Sequence, residues 1–191
     1  MYYLNGRGSL SRLTTVSFDN GTYTGTLGIE RTSVLLTSTS KDASKVTLSG
    51  DVTLSYANTA ACQYLTFAGG LTIQDSVRCS VEHCKVTGPS KIAVALSRNV
   101  SAYINDVTGT RTGTAGDVFN IANTANVGIK DCSATGYSKT SGAAFTIGRC
   151  NYVAFTGTNT ASTSAYAIYM VNSVIEFSSG GTINYNNIGS V

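Results

Sequence analysis

The chain has 191 residues, 42% of them hydrophobic, which is enough for one domain with a core of its own. Only 12% are charged, and the 13 basic and 10 acidic residues are scattered singly, which excludes a nucleic-acid footprint and the charge-rich signature of disorder. Ser (23), Thr (27), Gly (20) and Asn (14) make the surface polar instead; these are weak helix formers, so the composition favours β-structure with many turns.

The start, Met1 to Gly6, lacks the basic and apolar regions of a signal peptide, so no secretion signal is expected. Residues 1–45 read as N-terminal strands and a hairpin, either a partial cap or the start of a solenoid formed by residues 46–191. Asn20-Gly21, between Phe18 and Tyr23, is a hairpin signal. Val34 to Leu36 reads as a strand, and Ser38 to Lys45 as a loop or brief helix. From residue 46 to the end, apolar and polar residues alternate, as in Val52-Thr53-Leu54 and Leu71-Thr72-Ile73. The longest apolar runs, Ile92–Leu96 and Ala165–Val171, are far short of the roughly 20 residues a membrane span needs.

A repeat becomes regular from about residue 65. Four blocks carry an apolar pair and a later valine: Ile92/Val94 with Val100, Phe119/Ile121 with Val127, Phe145/Ile147 with Val153, and Tyr166/Ile168 with Val174. Between pair and valine lie Asn99, Asn123, Asn151 and Asn172, which suit turns because Asn tolerates left-handed dihedrals. Thr-Gly recurs at Thr87, Thr108, Thr135 and Thr156, each opening a variable polar stretch. Short strands in a unit of this size predict a parallel β-solenoid, whose coils bury their apolar faces only by stacking. A β-sandwich is the alternative; it gives no reason for the block to return four times. No amphipathic helix is available to cap an end. The expectation is therefore a segment of a longer protein, or ends covered by sister chains.

Asn126-Val127-Gly128-Ile129-Lys130-Asp131-Cys132, echoed at Ile104-Asn105-Asp106-Val107 and Val81-Glu82-His83-Cys84, resembles the coils of right-handed parallel β-helix proteins of the pectate-lyase-like class. Within that class the hydroxyl-rich, low-charge composition and unpaired cysteines are most similar to a bacteriophage tailspike. The likeness spans about residues 46–180 and is one of texture and period. It implies a homotrimer on a virion tail, assembled in a host cytoplasm, that recognises bacterial capsule or O-antigen polysaccharide. Many such proteins also depolymerise it, as hydrolases or lyases, with grouped carboxylates; no catalytic motif carries over residue by residue.

Several residues are candidates for this chemistry. Asp106 and Asp131 each follow an isoleucine by two positions, so stacking would bring them together as an acid/base pair, with Glu82 as a third acid on the preceding coil. The alternative use for the aspartates is capping turns. Tyr137, in a Thr-Gly loop, offers a sugar a flat ring, whereas Tyr166 falls in a core column. Arg111 and Arg149 suit acidic sugars. Cys79, Cys84 and His83 form no adequate metal set, because His83 and Cys84 are strand neighbours facing opposite ways, and no cofactor is expected. The five cysteines read as reduced and buried. Tailspike recognition of polysaccharide, a depolymerase, and a non-binding stalk or adhesin module are the three functional expectations.

Overall fold

The computed structural model describes residues 2–5, 12–88, 92–113, 116–136 and 141–186. Three eight-stranded sheets wind around one core, and each turn of chain adds one strand to each sheet. The first sheet stacks Tyr2–Asn5, Leu27–Glu30, Val52–Ser55, Leu71–Gln74, Val94–Ser97, Phe119–Ala122, Ala143–Gly148 and Tyr166–Val171. The second stacks Thr14–Phe18, Val34–Ser38, Thr59–Gln63, Arg78–Glu82, Ser101–Asn105, Asn126–Lys130, Tyr152–Thr156 and Ile175–Phe177. The third stacks Gly21–Tyr23, Val46–Leu48, Thr66–Phe67, Lys85–Gly88, Thr108–Arg111, Ser133–Thr135, Thr158–Ser162 and Thr182–Asn186. Among the described residues the only helix is a single 3₁₀ turn, Ala43–Lys45. Neighbouring strands pair in parallel, so this is a β-solenoid and not a sandwich. At about 4.8 Å per strand, eight coils make a rod roughly 35 Å long.

Alternation along each strand sends every second side chain inward, and parallel register stacks like on like. One inward column of the second sheet runs Leu36, Cys62, Val81, Ile104, Ile129, Phe155, Phe177. One in the first sheet runs Val52, Leu71, Val94, Phe119, Phe145, Ile168. Phe119 and Phe145 stack with centroids 5.1 Å apart, and Phe145 meets Phe155 edge-on. The third sheet makes room for these rings. Its inward column shrinks from Leu48, Phe67 and Val86 to Gly109, Ala134 and Ala161. A Cβ on Gly109 would lie 3.0 Å from the Phe119 ring, so the glycine is the complement of the phenylalanine. All five cysteines are free and buried in or beside this core.

Two expectations are corrected, the hairpin and the register of the outer blocks. Asn20-Gly21 is a corner, not a hairpin: the strands on either side belong to different sheets. The residues that permit a reversal also permit a bend from one sheet to the next. The strands of residues 2–45 stack in the same three sheets as the rest, as the start of the solenoid. The outer blocks of the repeat shift by two: Val94 and Leu96, not Ile92 and Val94, pair with Phe119 and Ile121. Likewise Ile168 and Met170 pair with Phe145 and Ile147, which leaves Tyr166 beside Ala143 and 58% exposed, not in the core. Val100 is consequently outside and Ala102 takes its position, while at the last block the slip is one residue, with Ile175 and not Val174 beside Val153. A period-two pattern is unchanged by a slip of two, so alternation alone could not fix the register.

Candidate functional site

Two of the three corners are built on the same backbone device. Where the second sheet turns into the third, Tyr64, His83, Asp106 and Asp131 adopt φ values of 57°, 53°, 51° and 51°. Such left-handed conformations cost non-glycine residues about 1–2 kcal/mol each. The cost is offset by cross-coil bonding: the Tyr64, His83 and Asp106 N–H groups donate to the carbonyls of Glu82, Asn105 and Lys130 at 3.2, 3.0 and 3.0 Å. The next residue then turns inward, so Leu65, Cys84, Val107 and Cys132 are buried while the left-handed residues project out. His83 and Cys84 therefore do face opposite ways.

The projecting residues form a ladder along the rod. The Tyr64 and His83 rings stack at 4.9 Å with 7° between planes. His83 Nδ1 lies 2.8 Å from Asp106 Oδ2. A carboxylate accepts here, so Nδ1–H donates to it; in the neutral imidazole the other ring nitrogen, Nε2, is then an acceptor. The His83 side chain is 38% exposed and that of Asp106 65%. One coil before Tyr64, the same corner is made by the loop that ends in the 3₁₀ turn. Ser44 donates its N–H and its hydroxyl to Asp42 Oδ1 at 2.8 and 2.7 Å, which holds the Asp42 carboxyl below its ordinary pKa. The Thr66 hydroxyl donates to the Ala43 carbonyl at 2.7 Å and fastens the loop to the third sheet. Loop and ladder line a groove of about 300 Å³, with Lys41 and Asp42 from the loop, Tyr64, His83 and Asp106 from the ladder, and Lys85 and Thr108 from the third sheet.

The sequence candidates do not all converge on this groove. Ile104 pairs with Ile129, so Asp106 and Asp131 are neighbours in one corner column. Their carboxylates are engaged in opposite directions along the rod. Asp106 bonds His83 on the preceding coil, while Asp131 Oδ1 accepts the Thr158 N–H of the following coil at 2.8 Å. Gly157 makes that cap possible, because a Cβ there would sit 2.1 Å from Asp131 Oδ1. Glu82 ends its strand beside Asn105 in register and accepts a long, 3.4 Å bond from Gln63 Nε2. Arg149 is exposed at the other corner, between the first and second sheets. Arg111 is only 3% exposed, and burial lowers its pKa against the opposing pull of Asp117. Tyr137 lies outside the described residues. Asp106 is thus the one sequence candidate lining the groove; Tyr64, His83, Lys41 and Lys85 join it.

The thiols add no chemistry to the groove. Desolvation pushes Cys79, Cys84 and Cys132 up to about 12, so they stay protonated at neutral pH. Among the described residues no group of three or more His, Cys, Asp or Glu side chains is placed to hold a metal ion. The outer face of the third sheet carries a polar column, Thr22, Thr47, Thr66, Lys85, Thr108, Ser133, Thr160 and Asn184, small at every position but Lys85. Thr160 and Ser133 hydroxyls bond across coils at 2.9 Å. Comparisons with protein-family models, curated proteins and solved structures find no match to this chain.

Proposed function

We propose that this chain is a tailspike-type segment: a right-handed β-helix that forms a homotrimer on a virion tail, is assembled in a host cytoplasm, and recognises bacterial surface polysaccharide. Right-handed winding follows from the strong preference of parallel crossovers for that hand. The observation that carries the reading is the corner groove. It joins an aromatic–imidazole stack, the His83–Asp106 pair and the Thr108 residue on one rod. Sugars are bound by such sets: flat apolar faces for the ring and fixed polar groups for the hydroxyls.

The separate engagements of Asp106 and Asp131 favour recognition over cleavage, since an acid/base pair needs both carboxyls turned to one substrate bond. The test is a panel of capsular and O-antigen polysaccharides, read for binding and for new reducing ends or unsaturated uronates. Binding without cleavage is the expected result. Cleavage would assign a depolymerase, and an absence of binding across the panel would leave a structural stalk. Solution mass tests the trimer separately.

A further inference from the structure

We infer that the outer face of the second sheet carries a separate subsite for a carboxylated sugar, in which the Tyr103 ring packs against the sugar and the Arg78 guanidinium binds its carboxylate. The inference goes beyond the corner groove and does not depend on it. Strand register places the two side chains: Arg78 pairs with Ser101, and Ser80 with Tyr103. Residues two apart on a strand share a face, so these four point outward together, while Cys79 and Ala102 between them are buried. Arg78 and Tyr103 are diagonal neighbours in this set. With Ser80, Ser101 and Thr59 of the preceding coil, they line a groove of about 280 Å³.

Arg78 is exposed, and it is the one charged residue lining this groove. Among the described residues it forms no ion pair. The carboxylates on either side of it in the chain do not neutralise it. Asp75 is taken up by Arg98 through two bonds of 2.6 and 2.8 Å. Glu82 is four residues farther along the same strand, about 13 Å away at the rise of a strand. The groove therefore has a single formal charge, and it is positive. The ring is placed by a glycine. Gly128 of the following coil pairs with Tyr103, and a Cβ there would lie 3.0 Å from the ring's Cδ2 and 3.5 Å from its Cε2. Glycine weakens a strand interior and often marks a close approach. Here it lets one edge of the ring rest on the sheet while Tyr103 stays 40% exposed. A ring, a guanidinium without a carboxylate and two serines on adjacent strands fit a uronic acid: an apolar sugar face for Tyr103, a carboxylate for the planar fork and hydroxyls for the serines.

The test follows backbone amide signals of the full chain by NMR during titration with glucuronate, glucose and acetate. Glucuronate is expected to shift the Ser80, Ser101 and Gly128 signals at a concentration where glucose and acetate leave them in place, and added salt to weaken it. Its affinity is expected to fall about tenfold in Arg78→Gln and about threefold to tenfold in Tyr103→Ala. Both side chains are exposed, so the rest of the spectrum should be unchanged in either variant. Equal shifts with glucose or with acetate, no shift with glucuronate, or an affinity that survives either substitution would overturn the inference. So would glucuronate shifts confined to the His83 corner, which would leave the corner groove as the glycan site. Glucuronate bound at Arg78 by a chain that binds no polysaccharide of the panel would leave this subsite standing and remove the reading of the corner groove.

Discussion

The two left-handed corners share a backbone and differ in what they do with it. Between the first and second sheets, Asp75, Arg98, Asn123 and Arg149 take φ near 50° and the following residues turn in, as they do between the second and third sheets. At the first of these corners the inward seat is polar on three successive coils, Ser76, Asn99 and Thr124, and apolar or a thiol at its ends, Ala57 and Cys150. Asn99 serves two backbone groups, accepting the Ser76 N–H at 3.0 Å and donating to the Ile73 carbonyl at 3.2 Å. At the second corner the inward seat is apolar or a thiol, and the outward one joins a loop in lining a groove. The bend dictates the dihedral; it leaves both side-chain directions free. One corner uses the freedom to bond its own backbone, and the other offers polar groups outward.

The sharpest way to break this contrast is to attack the inward seats. Asn99→Leu strips two buried backbone groups of partners and is expected to cost about 2–5 kcal/mol in urea unfolding. Leu65→Ala at the other corner leaves a cavity and should cost a similar amount, about 2–5 kcal/mol, by packing loss alone. If Asn99→Leu is neutral, the first corner is a packing seat too and the distinction disappears.

A smaller effect is expected at Gly157, which holds φ 63° and leaves room for the Asp131 cap. Gly157→Ala should cost about 1–3 kcal/mol through the strained dihedral and the displaced carboxylate. Combined with Asp131→Ala the costs should fall short of additive, because the first change already removes the bond to Thr158.

Smaller again is the exposed pair at the first corner. Arg98 holds the Asp75 carboxyl below its ordinary pKa, so the unfolded chain takes up that proton first as the pH falls. The stabilisation is present above the ordinary Asp range and is lost as the pH drops through the lowered value. Wild type and Asp75→Asn should therefore differ at neutral pH and converge in acid, as read by thermal melts at a series of pH values. Least of all is expected from the outward residues of the second corner. Tyr64→Asn and His83→Asn lose the ring stack but gain a residue at ease in the left-handed region, so stability should stay within about 1 kcal/mol. A large loss would make the ladder a structural element and not a surface free for binding.

Much of the architecture was legible because it is local. The alternation, the Asn-rich turns and the Thr-Gly punctuation gave parallel coils, and the Ile104–Ile129 and Val127–Val153 pairings came out in register. The outer blocks slipped by two because alternation has no memory of which apolar residue comes first. The groove was not legible beyond Asp106. His83 and Asp106 are 23 residues apart, and the residues between them include a corner of variable length. Only the stacked register says that they meet, and nothing local marks Lys41 as lining the same groove.

The sequence by itself determined that the chain would coil, since inward valines, isoleucines and phenylalanines at period two cannot be buried by any single coil. Tertiary structure decided which coil position lies over which. Register is set by the sum of all strand pairings and by the fit of Phe119 against Gly109, and a groove made of side chains from four successive coils exists only once that sum is fixed.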